Sequence, residues 1–411
     1  MSSAFLIAHQ CPQCGAPATL TETDRLVQCA FCKVKSYLHA EDVFRYILPD
    51  NAPAGRETLY VPYWRFKGML FSCSETGIQH RFLDTSQKAV PSNLFPPSLG
   101  LRSQAMKLAF VRPDMKGWFL RPQLSSTQAM EAVVRHQKQQ TQGQVYHQSL
   151  IGETLSLIYA PFYPDEKMMD GILNQPVSAL PSGGFDRHRY QGGPAVNSIH
   201  FMATLCPKCG WDLDGDRDSL VLHCTNCLSI WKASKKVLRR IAVAHLPTTE
   251  KGPSLFLPFW RIRAEIDGME LRSYADLVRQ ANQPKAILPD WHRTPMFFWG
   301  PAFKVSPKTF LRLTHQVTLA QPQDRLVHQM PKGPMHSVTL PVTESTETLK
   351  VNLAGILRPK KRIRRCLENL AIESKRAHLV YIPFSLQHHD LVQPTFNIAV
   401  NRNQLSLAGN L

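Results

Sequence analysis

CPQCGAPATLTETDRLVQCAFC, residues 11–32, and CPKCGWDLDGDRDSLVLHCTNC, residues 206–227, repeat one cysteine frame within a single chain. In each frame two C-x-x-C pairs are separated by 14 residues. A C-x-x-C turn presents two thiolates from one tight loop, and two such turns supply the four soft ligands of a tetrahedral zinc site. Four thiolates close the coordination sphere, so the sequence predicts two structural Zn²⁺ ions rather than catalytic ones. The expected ligands are Cys11, Cys14, Cys29, Cys32, Cys206, Cys209, Cys224 and Cys227.

Two other interpretations use the same cysteines. Disulfide bonds form in oxidising compartments, whereas a reducing cytoplasm keeps thiols free. An iron site of the rubredoxin type also takes four thiolates from similar turns, although the segment between the turns is shorter here than a rubredoxin would supply. Zinc is the favoured metal. Cys73 and Cys366 lie outside the frames, and we expect both to be small buried apolar residues rather than nucleophiles.

The first turn of each frame has the pattern C-P-x-C-G, at residues 11–15 and 206–210. Its glycine permits the backbone to turn and to direct amides toward sulfur. In these turns the chain resembles the zinc-ribbon family, and with YVPYWRFKG at residues 60–68 it is similar to poorly characterised bacterial tandem zinc-ribbon proteins. The resemblance implies no activity. Primosomal helicases also contain paired cysteine ribbons, but they need a phosphate-binding loop that this sequence lacks.

The duplication continues beyond the cysteines. LYVPYWRFKGML at residues 59–70 matches LFLPFWRIRAEI at residues 255–266, and both segments have the aromatic and aliphatic composition of strands. Each is followed by a polar turn and a further segment, at residues 77–86 and 268–278, which predicts a β-hairpin in each half. Later apolar segments predict a second pair of hairpins, at residues 155–173 and 377–400.

Short helices are expected between these hairpins. Ser306 and Pro307 are typical of a helix start, as the N-cap and the first helical residue. The expected counterpart in the first half is RSQAMKLAF, which begins at Arg102. Near the end of the chain, a periodic apolar face predicts a further helix. That face consists of Ile363, Cys366, Leu367 and Leu370.

The expected fold class is mainly β with short helices (α+β), in two tandem pseudo-repeats that each consist of a zinc ribbon and a β-hairpin-rich module. Gly, Pro and Ser are concentrated between the halves and are typical of a linker or surface loop. The expected segments are zinc ribbon 1 at 1–50, β-rich module 1 at 51–173, the linker or surface loop at 174–199, zinc ribbon 2 at 200–247, and β-rich module 2 with a basic amphipathic helix at 248–411.

The chain of 411 residues has 48 Lys and Arg against 31 Asp and Glu, a formal charge of +17 that reflects few acids rather than many bases. Two basic clusters, at residues 232–240 and 358–365, are the candidates for contact with an anion or a nucleic acid. Solvated strand edges, where lysines prevent aggregation, are the alternative explanation. The candidate residues are Lys232, Lys235, Lys236, Arg239, Arg240, Lys360, Lys361, Arg362, Arg364 and Arg365.

The aromatic residues of the duplicated strands, Tyr63, Trp64, Phe259 and Trp260, are expected to pack in a core, although stacking on nucleic-acid bases is an alternative. The arginine after each tryptophan is expected to stack on a ring or to pair with a carboxylate. His388 and His389 are expected in a solvated hairpin turn rather than in a metal site.

No phosphate-binding loop, H-E-x-x-H helix or G-x-S-x-G turn occurs in the sequence, which argues against an enzyme. No run of about 18 apolar residues predicts a transmembrane segment, and the expected location is the cytoplasm. The favoured function is a non-enzymatic zinc-binding scaffold or adaptor in a protein complex, with no small-molecule substrate inferred. The alternative is a protein that binds DNA or RNA through the basic clusters.

Overall fold

A computed structural model of the chain describes residues 6–139, 144–196, 199–234, 236–248, 254–322 and 325–407. The chain divides into two compact units. Unit 1 comprises Met1–Lys67, Leu83–Gln140 and Glu153–Ala203, and unit 2 comprises Gly68–Phe82, Thr141–Gly152 and Thr204–Leu411. With 41% strand and 18% helix, the protein is mainly β with short helices, which confirms the predicted fold class at that level.

Unit 1 contains the elements from the start of the chain to β14, and the long strands β6, β7 and β10 contribute residues to both units. Its helices are α1 (Arg102–Ala105) and α2 (Ser126–Gln139). Its strands are β1 (Leu6–Gln10), β2 (Pro17–Thr21), β3 (Leu26–Gln28), β4 (Lys35–Ala40), β5 (Phe44–Ile47), β6 (Leu59–Ser74), β7 (Ile78–Lys88), β8 (Leu108–Phe110), β9 (Trp118–Leu120), β10 (Val145–Pro164), β11 (Lys167–Asp170), β12 (Pro176–Ala179), β13 (Gly192–Gly193) and β14 (Ile199–Ala203).

The main sheet of unit 1 has the strand order β13-β9-β6-β10-β5-β8-β1-β2, with β7 beside β6 and the β11–β12 pair beside β10. A separate small sheet, β14-β4-β3, adjoins the first cysteine frame: β3 lies between its two cysteine turns and β4 comes directly after the second turn. The predicted hairpins at residues 59–86 and 155–173 are confirmed, because β6 pairs with β7 and β10 with β11. Every residue of β6 is buried, as expected of a strand with so many aromatic and aliphatic side chains.

Unit 2 contains β15 and all later elements. Its helices are α3 (Tyr274–Gln280), α4 (Pro307–Ala320), α5 (Val342–Glu347), α6 (Leu349–Ile356), α7 (Lys360–Cys366) and α8 (Arg402–Leu407). Its strands are β15 (Val221–Cys224), β16 (Ser229–Ser234), β17 (Val237–Ile241), β18 (Val243–His245), β19 (Ser254–Asp267), β20 (Phe298–Pro301), β21 (Ala371–Gln387), β22 (Asp390–Gln393) and β23 (Ile398–Asn401).

The larger sheet of unit 2 has the order β20-β19-β21-β22-β23, with β18 parallel to β21. The second cysteine frame contributes β15, which ends at Cys224, to a small antiparallel sheet, β15-β16-β17. The hairpin predicted at residues 377–400 is confirmed by the pairing of β21 with β22, and His388 lies in its exposed turn with φ of +52°. The helix predicted to begin after Ser306 is also confirmed as α4, with Pro307 in its first turn.

The predicted return strand at residues 268–278 is wrong, because the chain forms helix α3 there. Ser273 is the N-cap, and its hydroxyl accepts a hydrogen bond from the Asp276 backbone N–H while the Asp276 carboxylate accepts one from the Ser273 N–H. This capping box satisfies two backbone donors that a helix start otherwise leaves without partners. The strand that pairs with β19 on this side is instead β20, further along the chain.

Two helix predictions were too long. The counterpart helix after Arg102 is a single turn, α1, and the chain enters β8 three residues after it ends. The predicted tail helix ends at Cys366, and Leu367 is its C-cap. Ile363, Leu367 and Leu370 are nevertheless buried, which confirms burial of the predicted apolar face except at Cys366, a partly buried residue.

Candidate metal centres

The first cysteine frame brings four sulfur atoms together. Cys11 Sγ lies 3.8 Å from Cys32 Sγ, and Cys14 Sγ lies 3.7 Å from Cys29 Sγ. All four sulfurs lie within 4.8 Å of one another. A tetrahedral zinc ion with Zn–S distances of about 2.3 Å requires sulfurs about 3.8 Å apart. The separation is far longer than a disulfide bond of about 2.05 Å, and the cysteines are free.

The backbone of each turn explains this convergence. Gly15 has φ of +72°, and its N–H donates to the Cys11 carbonyl at 2.9 Å, which closes the turn around the first cysteine pair. Lys33 occupies the equivalent place after the second pair, with φ of +61°, and donates to the Cys29 carbonyl at 3.1 Å. The backbone N–H groups of Cys32 and Phe31 lower the pKa of the Cys29 thiol to about 6, which favours a thiolate at neutral pH.

The second cysteine frame has the same geometry. Cys206 Sγ lies 3.6 Å from Cys227 Sγ, and Cys209 Sγ lies 3.5 Å from Cys224 Sγ. Gly210 repeats the left-handed turn, with φ of +74° and a 2.8 Å hydrogen bond to the Cys206 carbonyl. Although burial opposes it, hydrogen bonds from the backbone of Lys208 and Cys209 lower the pKa of Cys206 to about 6.

A serine distinguishes the second cluster from the first. Ser229 is buried, its Oγ lies 2.9 Å from Cys227 Sγ, and the Trp231 indole N–H donates to the same Oγ at 2.8 Å. A zinc-bound Cys227 thiolate has no hydrogen to donate, so the Ser229 hydroxyl would be the donor to this sulfur when the metal is bound. Val34 stands at the equivalent place of the first frame and is 43% exposed. Ser229 was not predicted from the sequence, where its only signal is its position two residues after the last cysteine.

Both clusters fit four-coordinate thiolate ligation. They have metal-binding geometry compatible with two structural zinc ions, as the sequence predicted. When bound, each ion would offset two of the four negative charges of the thiolates and hold two turns of the chain together. The protein supplies the turn geometry, the amide hydrogen bonds and, in the second cluster, the Ser229 hydroxyl.

A buried ion network anchors the loop between the two turns of the first frame. Glu22 lies in this loop with a side chain that is 0% exposed, and its carboxylate pairs with Arg65 and Lys67 of β6. The Lys67 ammonium lies 2.8 Å from Glu22 Oε1. Arg65 also binds Asp84 of β7 through Nε at 3.0 Å and Nη2 at 2.9 Å. The carboxylate partner of Arg65 agrees with one of the two roles predicted for this arginine.

The corresponding loop of the second frame is anchored by hydrogen bonds of backbone, hydroxyl and carboxylate groups. Leu220 N–H donates to the Val338 carbonyl at 2.8 Å, and Ser219 Oγ donates to Ser337 Oγ at 2.9 Å. The Ser337 hydroxyl in turn donates to Asp216 at 2.6 Å. Thus each frame is attached through its loop to the β-rich part of its own unit, by buried ion pairs in unit 1 and by hydrogen bonds of backbone, hydroxyl and carboxylate groups in unit 2.

The first basic cluster forms the hairpin of β16 and β17. Lys232 is directly opposite Arg239 in the antiparallel register, so both project from one face, and both are exposed. Lys236 lies in the turn and Arg240 is opposite the buried Trp231. Lys235 falls outside the described residues. The pairing brings together two predicted anion contacts that are seven residues apart in the sequence.

The second basic cluster is divided between solvent and protein. Lys360, Lys361 and Arg362 are exposed at the start of α7. In contrast, Arg364 is buried and donates to the Glu75 carbonyl at 3.0 Å, and Arg365 pairs with the Glu75 carboxylate at 2.9 Å. These two arginines therefore hold the turn between β6 and β7, which explains part of the cluster without an external anion.

The aromatic residues of β6 and β19, the arginine after Trp260 and the two cysteines outside the frames have surroundings that account for them by packing. Tyr63, Trp64, Phe259 and Trp260 are buried, as the core interpretation predicted. The Arg261 guanidinium stacks 3.5 Å from the centroid of the Phe297 ring, the second role predicted for such an arginine. Cys73 is buried, which raises the pKa of its thiol to about 12 and leaves it protonated, whereas Cys366 is only partly buried.

None of the helices in the described ranges combines the length and the apolar character that crossing a bilayer requires. Comparison of this chain with models of known protein families, with characterised proteins and with solved structures finds no match.

Proposed function

We propose that this protein is a non-enzymatic scaffold or adaptor whose two zinc sites stabilise β-rich units that bind a macromolecular partner. The observation that carries the proposal is the attachment of each closed tetrathiolate cluster to its own unit. In unit 1 the attachment is the buried pairing of Glu22 with Arg65 and Lys67, and in unit 2 it is the bond from Leu220 to Val338. A metal that is closed by four thiolates has no position for a substrate, so its contribution is to folding.

We also propose that the two halves are tandem repeats, as the duplicated strands indicate. The Trp64 indole N–H donates to the Leu124 carbonyl at 2.8 Å, and the Trp260 indole N–H donates to the Leu340 carbonyl at 2.8 Å. In each half the accepting leucine is followed by a helix, α2 or α5. The same donor thus meets the same acceptor, and in both halves that acceptor lies just before a helix.

A backbone arrangement next to each tryptophan supports the repeat further. The Pro62 carbonyl accepts from Ala89 N–H at 2.9 Å, and the Pro258 carbonyl accepts from Ala302 N–H at 2.9 Å. Each of these alanines then accepts, through its own carbonyl, two successive backbone N–H groups, from residues 123 and 124 or 339 and 340. Four matched bonds per half are difficult to explain by the general preference of strands for pairing alone.

The scaffold proposal is tested by affinity purification from the native cell followed by mass spectrometry. The wild-type protein is compared with Cys224→Ser, and each is purified with and without nuclease. A stable set of partner proteins that survives nuclease and is lost with Cys224→Ser supports the proposal. A robust metal-dependent turnover by the purified protein, or the absence of any enriched protein, contradicts it.

Nucleic-acid binding is the second candidate function, and the β16–β17 hairpin favours it. Lys232 and Arg239 form a pair of exposed cations on one face. Trp211, which follows the first turn of the same frame, is 58% exposed, and an exposed aromatic ring offers a stacking surface for an unpaired base. Exposed cations together with an exposed aromatic ring are typical of proteins that bind single-stranded nucleic acids.

A filter-binding titration with single-stranded oligonucleotides across salt concentrations tests this candidate. Because Lys and Arg release counterions from phosphates, the double variant Lys232→Gln/Arg239→Gln should weaken binding and flatten the dependence on salt. Lys332→Gln, also an exposed lysine of unit 2, is the matched control. The absence of binding at low salt, or equal slopes in variant and control, excludes the hairpin as the nucleic-acid site.

A further inference from the structure

A cleft in unit 1 has no role in the zinc sites or in the proposed scaffold. It is open to solvent, has a volume of about 900 Å³, and lies where the chain leaves β5 and enters β6, β8 and β9. Its apolar wall includes Ile47, Leu48, Leu108 and Met115. Ligand sites for small molecules are typically concave spaces of about 300–1,000 Å³ with mostly apolar walls and a few polar groups. The size and the lining of this cleft agree with that description.

The floor of the cleft is held in a fixed shape. Tyr60 is buried, stacks on Phe119 with ring centroids 4.4 Å apart, and donates through its hydroxyl to Asp50 at 3.0 Å. Gly117 has φ of +117°, and a Cβ at this position would lie 2.5 Å from the Tyr60 ring. Only glycine therefore permits the loop to approach the ring this closely. Lys116 directly precedes Gly117, so the close contact of this loop with Tyr60 also brings Lys116 to the cleft.

Most of the charged groups around the cleft already have protein partners. The Asp50 carboxylate accepts from Tyr60 and from the Ala52 backbone N–H at 3.0 Å. Arg56 pairs with Asp165 at 2.8 Å, and Glu57 pairs with Arg187. The charged side chains of Asp50, Arg56 and Glu57 thus all have hydrogen-bond or ion-pair partners within unit 1.

Lys107 and Lys116 are the exceptions. Both line the cleft and both are exposed, and within the described part of the chain neither has a carboxylate or hydrogen-bond partner. They reach the cleft from two separate segments, one immediately before β8 and the other immediately before Gly117. Once the paired groups are accounted for, the cleft presents an apolar wall and two uncompensated positive charges.

We propose that this cleft binds a small organic anion that has an apolar body and a single carboxylate or phosphate group. The apolar body would lie against Leu48, Leu108 and Met115, and the anionic group would lie between Lys107 and Lys116. Charge-assisted hydrogen bonds from two ammonium groups provide the preference for an anion, and burial of the body provides affinity. The site is independent of the scaffold proposal, because it uses no zinc ligand and no residue of the basic clusters.

The test uses two fluorescent dyes with related aromatic bodies. 8-Anilino-1-naphthalenesulfonate is an anion, whereas N-phenyl-1-naphthylamine lacks the sulfonate and is neutral. The zinc-loaded full chain should bind the anionic dye in a saturable manner, and Lys107→Gln/Lys116→Gln should weaken that binding roughly tenfold, the effect of about one lost charge-assisted hydrogen bond. The neutral dye should bind the wild type and the double variant equally.

Lys332→Gln is the matched control, and Lys107→Glu/Lys116→Glu should abolish binding of the anionic dye. Both lysines are exposed, so thermal unfolding should be unchanged in each variant, which separates loss of the site from loss of the fold. Competition by decanoate and by decyl phosphate distinguishes the two classes of anionic ligand, with 1-decanol as the neutral competitor. The proposal is overturned if the anionic dye does not bind saturably, if the lysine variants bind it as the control does, or if decanol competes as well as the anions.

Discussion

Replacement of Glu22 by glutamine should destabilise unit 1 by about 3 kcal/mol, because it leaves the Lys67 ammonium buried without its carboxylate. The side chains of Glu22 and Arg65 are 0% exposed and that of Lys67 is 6% exposed. At the 2.8 Å separation of Lys67 and Glu22, the gross attraction is about 6 kcal/mol for an effective dielectric constant of about 20. Desolvation offsets much of it, and removal of one partner from a buried pair typically costs 3–5 kcal/mol. The lower end of this range applies to Glu22→Gln, because the Asp84 carboxylate still pairs with Arg65 in the variant.

The chain contains a matched control for this change. Glu265 pairs with Lys375 at 3.3 Å, but its side chain is 72% exposed. Glu265→Gln makes the same chemical change at a solvated site, where an ion pair contributes about 0–1 kcal/mol. Urea unfolding of the zinc-loaded proteins, followed by tryptophan fluorescence, compares the two free energies of unfolding. If Glu22→Gln costs no more than Glu265→Gln, the network does not anchor the ribbon loop.

The pH dependence of the same pair gives a second measurement. Burial by itself would raise the pKa of Glu22, but the charges of Arg65 and Lys67 outweigh it and lower the pKa below its ordinary value. The contribution to stability is therefore fully present above the unfolded-state pKa of about 4.3 and is lost as the pH falls through the lower folded-state pKa. The difference in unfolding free energy between wild type and Glu22→Gln should consequently shrink below about pH 4. A difference that is constant with pH contradicts this account.

Four further substitutions are expected to have local effects. Ser229→Val should weaken zinc binding at the second cluster by about 10- to 100-fold, whereas Val34→Ser should leave the first unchanged or strengthen it, as competition with a colorimetric chelator would measure. Cys224→Ser should release one of two zinc equivalents in elemental analysis and make its ribbon sensitive to protease, because ligation and folding are coupled; full retention of zinc contradicts this. Gly117→Ala should destabilise unit 1 by about 1–3 kcal/mol in urea unfolding, because a left-handed φ and a contact with Tyr60 both oppose a Cβ.

The cysteine clusters and the mainly β fold were predictable because their signals are local. Two C-x-x-C turns and a glycine determine where four sulfurs can go, with little help from the rest of the chain. The hairpin of β6 and β7 is likewise marked by a long apolar run, a polar turn and a second extended run. In such elements, the conformation of each residue is decided mainly by interactions with residues that are near it in the sequence.

The missed features depend on residues that are distant in sequence. Glu22 looks like an ordinary charged loop residue until β6 brings Arg65 to it, 43 positions later. The cleft is assembled from four separate segments, so neither Lys107 nor Lys116 carries a signal by itself. Helix α3 was missed for a different reason, since the capping pair Ser273 and Asp276 is local but was outweighed by an expected symmetry with the first half.

If the two halves are tandem repeats, as proposed, the arginines that follow Trp64 and Trp260 indicate how such a repeat can diverge. Under the proposed duplication, Arg65 and Arg261 descend from one residue, and the neighbouring indole bonds are the same in both halves. Arg65 nevertheless neutralises carboxylates, whereas Arg261 stacks on Phe297. The backbone bonds constrain the position of the strand, while the guanidinium adapts to whichever partner, carboxylate or ring, is near. Glu22→Gln should therefore destabilise unit 1, where Arg65 pairs with carboxylates. It should leave the stability of unit 2 unchanged, because the equivalent Arg261 stacks on an aromatic ring.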